Sequence, residues 1–215
     1  MVSYKLKLGQ NLTEKRAGLY AIPPAPRSFP LMKRIVLTHC SLLFFLFVYA
    51  VPSFGLPAQD IQLVLDTQYV QVAQKMIKEA KKSIQVMMFE MGYYAEHPKT
   101  ASNQLIKELI NASKRSVKVE VILEVREGED RTTKRNRQTG KILSEGGVKV
   151  IYDSLSKTNH AKWMVVDGEA TLLGSTNWTY YALTNNNEVS VLIRSKEVAK
   201  ELVDYFNRVK ATGSK

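Results

Sequence analysis

Between residues 61 and 206, short apolar runs alternate with segments whose apolar side chains recur every three or four positions. This alternation constrains the chain more than any other feature. Strand-like runs separated by amphipathic helices can bury their faces only as a sheet covered by helices. The runs at 61–65, 84–89, 117–125, 148–152, 161–166, 170–173 and 188–193 are predicted strands. Helical spacing appears at 69–82, through Val72, Ala73, Met76, Ile77 and Ala80, and at 102–113, through Leu105, Ile106, Leu109 and Ile110, with Ser102 as the expected N-cap. Residues 141–145 end a short helix that Gly146 and Gly147 stop. A last helix begins at Ser195 and turns Val198, Leu202, Val203 and Phe206 inward. Residues 126–137 are dense in charge and read as a loop. Asp167-Gly168, set between two apolar runs, is a hairpin signal. The expected class is α/β: a sandwich with a mixed β-sheet flanked by helices, without internal repeats.

The chain has 215 residues, 45% of them apolar and 24% charged. That suits one folded domain with additional sequence and excludes wholesale disorder. One cysteine, Cys40, excludes an intrachain disulfide framework and a cysteine-based zinc site. Three histidines, His39, His97 and His160, leave little for a multi-histidine metal centre, so no cofactor and no metal are expected. The net charge of +11 is uneven. Residues 1–58 hold seven Lys/Arg against one Glu, and residues 59–215 hold 24 against 19 acidic residues. The folded part is thus only moderately basic, and net charge alone does not name a polyanionic partner.

Met32-Lys33-Arg34 precedes an uncharged apolar run at 35–51, followed by Pro52, Ser53, Gly55 and Ala58. A basic region, an apolar stretch and a small-residue exit describe a secretory signal peptide, with cleavage after Gly55 or Ala58. The alternative is an uncleaved membrane anchor through residues 35–51. In both cases the domain downstream is expected to be exported, to the periplasm or beyond, because Lys33 and Arg34 stay on the cytoplasmic side. Residues 1–31, rich in proline, are expected to be an upstream extension outside the fold. The expected division is 1–31 extension, 32–58 signal or anchor, and 59–215 functional domain.

The chemistry lies in His160-Ala161-Lys162, followed by Asp167 and then by Gly174-Ser175-Thr176-Asn177. Residues two apart in a strand share a side, so His160 and Lys162 point together. The return strand of the hairpin brings Ser175 and Asn177 back beside them. Asp167, at the far end of the strand, is too distant to touch anything His160 holds and is expected to pin the turn; Gly174 is likewise structural. One nucleophile, one cation and two neutral polar side chains around a point suit a phosphoryl group, whose equatorial oxygens must be stabilised during transfer. Taken singly, each residue has an ordinary structural reading. Their joint register does not.

This stretch, H-x-K-x4-D-x6-G-S-x-N, resembles the signature of the phospholipase D superfamily of phosphodiesterases at all six fixed positions, and the order of strands and helices resembles that family over roughly 60–210. The resemblance implies a phospholipase D-like sandwich, with His160, Lys162, Asn177 and Ser175 as catalytic residues and no metal. In the single-motif bacterial Nuc-type nucleases a glutamate at the position of Glu188 hydrogen-bonds to a catalytic histidine, which implies that role here. The family uses two histidines, one from each of two motifs, and only one motif is present here. The implied solution is a homodimer with a composite site in which one His160 attacks phosphorus and the other protonates the leaving oxygen.

Small size and a single motif favour a non-specific endonuclease acting on DNA or RNA. Arg126, Arg131, Lys134 and Arg135 are candidates for contacting a phosphate backbone and Trp178 for contacting substrate, with Trp163, Tyr180 and Tyr181 also aromatic candidates. The runner-up is a phospholipase D acting on phosphatidylcholine-type lipids. The animal mitochondrial branch ranks third, because it typically carries a Cys/His zinc finger that this chain lacks. From another class, a non-catalytic nucleic-acid-binding module is opposed by the intact His160, Lys162 and Asn177. His97, in a polar loop, reads as an ordinary surface histidine and as the first alternative acid if one chain works alone.

Overall fold

A computed structural model describes residues 55–128 and 130–214. The extension, Cys40 and the apolar run at 35–51 lie outside the described residues. Seven strands form one sheet in the order β1-β7-β6-β5-β2-β3-β4. They are β1 (Asp60–Leu65), β2 (Ser83–Met88), β3 (Lys118–Leu123), β4 (Lys149–Tyr152), β5 (Lys162–Val166), β6 (Ala170–Gly174) and β7 (Val189–Arg194). The helices are α1 (Gln68–Glu79), α2 (Ala101–Lys114), α3 (Arg131–Glu145), α4 (Tyr180–Thr184) and α5 (Lys196–Thr212). β2, β3 and β4 run parallel and every other neighbouring pair is antiparallel, so the sheet is mixed as expected.

The central strands are apolar on both sides because both faces are covered. Ile84, Val86 and Met88 join Val121, Leu123 and Met164 in a core beneath α1, α2 and α3, which contribute Ala73, Ile77, Leu105, Leu109 and Leu143. Met87, Ile122, Trp163 and Val165 face the other way, onto Ala199 and Phe206 of α5. Ser195 caps α5 by accepting from Val198 N at 3.1 Å. On this second face Glu120 is almost fully buried, and Lys210 of α5 donates to it at 2.5 Å. Burial alone would raise the Glu120 pKa, but hydrogen bonds from Lys210 and Lys118 bring it below the usual carboxylate range.

The hairpin of β5 and β6 turns at Asp167 and Gly168, both at positive φ, 56° and 67°. Two left-handed residues match the right-handed twist of the strands they join. Gly174 ends β6 where Ser190 and the Val189 carbonyl press close, and a methyl group at this position would collide with both.

Two expectations need correction. Thr100, not Ser102, caps α2; its extended backbone lets the side chain accept from Asn103 N, while Ser102 is buried and donates to the Gly92 and Trp178 carbonyls. Residues 131–137 are not loop but the first half of α3, capped by Asp130, which accepts from Thr133 N at 2.7 Å. The helix escapes an apolar-period reading because its inward face is polar: Thr133, Asn136, Thr139 and Gly140. Those groups serve the irregular segment after β2. Asn136 accepts from Met91 N and donates to the Phe89 and Glu124 carbonyls, and Thr139 accepts from Tyr93 N and donates to the Met91 carbonyl. A chain that leaves the sheet must satisfy its backbone groups elsewhere, and α3 does this.

Candidate active site

β2 and β5 pair so that Met88 lies opposite Lys162, and Phe89 N continues the ladder by donating to Ala161 O at 3.0 Å. On its far side the same segment holds residue 178: Trp178 N donates to Glu90 O, and Gly92 N donates to Trp178 O. β6 runs beside β5 with Leu173 opposite Trp163, so Gly174 falls next to Lys162 and Ser175 follows. The hairpin thus gathers His160, Lys162, Ser175 and Asn177 at one end of the sheet.

His160 is exposed, immediately ahead of β5, and its ring rests on Phe89 with centroids 4.6 Å apart. Lys162 is buried, and its Nζ donates to the His160 carbonyl at 2.8 Å and lies 3.4 Å from His160 Nδ1. An ammonium only donates, so this contact is a hydrogen bond when Nδ1 carries the ring lone pair. The charge of Lys162, partial burial and the charge of Arg126 together hold the His160 pKa below the ordinary imidazole range. Burial also lowers the Lys162 pKa, an effect opposed by the Glu188 carboxylate.

Phe89 is a residue that sequence reading passed over. Lys162 Nζ lies 5.0 Å and the Arg126 guanidinium 5.2 Å from its ring centroid, so two cations and the imidazole share one aromatic platform. Glu124, 1% exposed, holds this corner by accepting from Asn159 N at 2.6 Å and from Arg126 Nε at 3.2 Å. Burial raises the Glu124 pKa despite those bonds. No sequence signal marks either residue, because Phe89 reads as the last apolar residue of a strand and Glu124 as one acid among several.

Glu188 is buried and accepts from Ser175 Oγ and from Asn186 Nδ2. Within one chain these side chains occupy its carboxylate, and His160 of the same chain is not among its partners. Its backbone is fixed by Asp66, whose carboxylate accepts from Glu188 N at 2.8 Å. Ser175 Oγ also accepts from Val189 N at 3.1 Å, so Ser175 holds Glu188 and β7 as well as facing the site. Asn177 is different: its buried Oδ1 has no hydrogen-bond partner. Asp167 behaves as expected, its carboxylate accepting from the backbone N–H groups of Lys81, Lys82 and Ser83 between α1 and β2. Burial would raise its pKa, but these three bonds take it below the usual range.

A cleft of about 1050 Å³ opens from Asn177 along α2, α3 and α4, lined also by Glu90, His97, Arg131 and Arg135; neither His160 nor Lys162 lines it. Arg135 is paired with Glu90 and stacked over Tyr94 at 5.5 Å. Arg131 and Arg135 line this cleft and Arg126 stands over Phe89 beside His160, whereas Lys134 lies on the exposed side of α3 outside the cleft lining. Trp178 is a correction: it is wholly buried, its indole N–H donating to Tyr69 OH at 3.0 Å, and it touches no substrate surface. Trp163 is buried against α5 as well. Tyr180 and Tyr181 are 45% and 68% exposed at the cleft. Among the described residues no group of three His, Cys, Asp or Glu could hold a metal ion, and no helix is long and apolar enough to cross a membrane.

Comparison with known proteins follows this geometry. A family model described as "Cardiolipin synthase, PLD-like domain" matches residues 74–210, well over half the chain. Mitochondrial cardiolipin hydrolase of Xenopus laevis is 29% identical over 130 residues, 60% of this chain and 55% of that protein. The Xenopus tropicalis protein of that name is 31% identical over 105 residues, 49% of this chain and 48% of that one. The chain spans about half the length of these curated relatives. Among solved structures, Nuc from Salmonella typhimurium, titled a phospholipase D family member, aligns with a TM-score of 0.61 at 22% identity over 72% of this chain and 95% of its own. NucT from Helicobacter pylori aligns with a TM-score of 0.58 at 17% identity over 72% of this chain and 99% of its own. Fold, motif register and family match converge, and the chain belongs to the phospholipase D superfamily of phosphodiesterases through its PLD-like domain.

Proposed function

We propose that the protein is a nuclease that hydrolyses phosphodiester bonds through a phosphohistidine. The observation that carries this reading is the placement of His160 Nδ1 3.4 Å from Lys162 Nζ, with Arg126, Arg135 and Arg131 continuing the cationic side outward. When a phosphate enters, Lys162 Nζ and Asn177 Nδ2 turn to its non-bridging oxygens, and the imidazole lone pair is released to attack phosphorus. A P–N bond forms as the P–O ester bond breaks. The leaving oxygen takes a proton from His160 of the partner subunit, since one chain carries one motif. That second imidazole then removes a proton from water, the hydroxide attacks phosphorus, and the P–N bond breaks. Lys162 and Asn177 supply the phosphate contacts, and no step draws on a metal. Apolar side chains of β1, β6 and β7 support the dimer: Ile61, Leu63, Leu65, Leu173 and Val189 are exposed on strands that run up to Ser175 and Glu188.

A lipid phosphodiesterase is the second reading, favoured by the curated relatives, which are named cardiolipin hydrolases. Incubating the protein with plasmid DNA, RNA, cardiolipin vesicles and phosphatidylcholine vesicles, with and without EDTA, separates the two. The nuclease reading expects cleavage of nucleic acid that survives the chelator and vanishes in His160→Asn. Lys162→Ala and Asn177→Ala are each expected to lose about 3–4 kcal/mol of transition-state stabilisation. Hydrolysis of lipid alone overturns the nuclease reading. Loss of activity in EDTA with rescue by one divalent ion overturns the metal-free mechanism.

A further inference from the structure

The cleft beside Asn177 differs in chemistry from the catalytic corner. It holds about 1050 Å³, at the upper end of the roughly 300–1,000 Å³ usual for small-ligand sites, so it has room for more than a single phosphate. Its flat apolar surface is aromatic. Tyr180 and Tyr181 project from α4 with rings 5.4 Å apart and near-perpendicular at 84°, and Tyr94 faces the cleft from the segment after β2. Among the described residues that line it, none is Leu, Ile, Val, Met or Phe. An acyl chain needs a continuous aliphatic wall to leave water, and this cleft offers rings edged with hydroxyls and charges.

The aromatic wall is rigidly mounted. Thr179 caps α4, Tyr180 N donates to Tyr94 OH at 3.0 Å, and the buried Trp178 beneath is tied to Tyr69. Two cations line the same cleft: Arg135, paired with Glu90 and stacked over Tyr94, and Arg131, 4.0 Å from the same carboxylate with its side chain 80% exposed. Rings that stack, beside cations that follow a phosphate backbone, are the parts of a single-strand binding groove.

We infer that this cleft is a base-stacking subsite, in which one or two unpaired bases of the scissile strand lie on Tyr180 and Tyr181 while Arg131 and Arg135 hold the adjoining phosphate. The inference rests on the nuclease reading and adds to it the form of substrate. A base within a duplex has both faces stacked on its neighbours, so only an unpaired base can lie on the tyrosines. The enzyme therefore prefers single strands to duplexes.

The test compares kcat/KM for a single-stranded deoxyoligonucleotide, the same strand with abasic sites, and the strand annealed to its complement. Methyl nitrophenyl phosphate, a diester without a base, reports the catalytic centre separately. The wild-type protein is expected to cleave the base-bearing strand about tenfold or more faster than the abasic one, and faster than the duplex. In the double variant Tyr180→Leu, Tyr181→Leu, checked for folding by its melting temperature, the ratio of base-bearing to abasic cleavage should fall to about one. Equal cleavage of base-bearing and abasic strands by the wild-type protein overturns the subsite while leaving the nuclease reading intact. Retention of the ratio in the double variant overturns the assignment to these tyrosines. Turnover of methyl nitrophenyl phosphate with no cleavage of any oligonucleotide overturns the nuclease reading and this inference together. Hydrolysis of cardiolipin vesicles that is lost in the double variant assigns the cleft to lipid instead.

Discussion

Protonating an imidazole that sits beside Lys162 and Arg126 adds a third positive charge to one aromatic platform, which is why the His160 pKa is depressed. A lowered pKa keeps the neutral, nucleophilic form populated to more acid pH than for a free histidine, whose pKa is about 6.5. The His160 resonance in an NMR titration should therefore have its midpoint below that value. Lys162→Met removes the largest contribution and should move the midpoint upward, towards the ordinary value. A midpoint unchanged in that variant would mean that burial, not charge, sets it. Asn177 illustrates the other requirement at this scale. Its buried Oδ1 has no donor partner, and since a phosphate oxygen is itself an acceptor, the Asn177 contact to phosphate falls to Nδ2.

Asp167, at the turn of the β5–β6 hairpin, and Asn136 of helix α3 position the site without touching its chemistry. Asp167 clamps the far end of the hairpin to the α1–β2 junction through three backbone N–H groups, about 20 Å from His160 at about 3.3 Å per residue along the strand. Asp167→Ala should cost roughly 1–3 kcal/mol, visible as a lower melting temperature, with kcat retained below it. The pH dependence has a definite sign. The folded-state pKa of Asp167 is depressed, so its contribution is complete above the unfolded carboxylate value of about 3.9 and is lost as pH falls through the folded value. The gap in melting temperature between the proteins should thus be full near neutrality and close in acid. If the variant melts like the wild type but is inactive, Asp167 has a chemical role instead. Helix α3 acts through Asn136, wholly buried with three backbone partners. Asn136→Ala leaves those groups unpaired and should cost roughly 2–4 kcal/mol. It should also raise KM more than it lowers kcat, because it releases the 89–94 segment that forms one wall of the cleft. A KM unchanged in a folded variant would separate the segment from substrate binding.

Across the whole molecule, the site described in one chain is half of what the proposed reaction needs. In the proposed reaction, two copies of His160 in different protonation states make one working centre per dimer. Acid quenching of a steady-state reaction on labelled substrate should trap at most one phosphohistidine per two chains, and residues 59–215 should run as a dimer of about 35 kDa. The exposed apolar strands next to the half-site are the natural contact. Leu63→Asp combined with Val189→Asp should shift the protein to monomer and abolish turnover together. A monomer that remains active would place the acid within one chain, with His97, exposed at the cleft, the first candidate.

Periodicity and motif spacing by themselves determined the α/β class, the position of all seven strands, the Asp167–Gly168 turn and the grouping of His160, Lys162, Ser175 and Asn177. Each of these is local, set by side-chain alternation, left-handed turn residues and a hairpin that returns on itself. What only the tertiary structure decided depends on contacts distant in sequence. Helix α3 was hidden because its buried face is polar and satisfies backbone groups some 45 residues away. Trp178 went inward because Tyr69, 109 residues earlier, accepts its N–H. Phe89 and Arg126 joined the site because β2 and β3 are neighbours in a sheet whose register no single segment contains. The cleft, assembled from α2, α3 and α4, exists only where those helices converge over the end of the sheet.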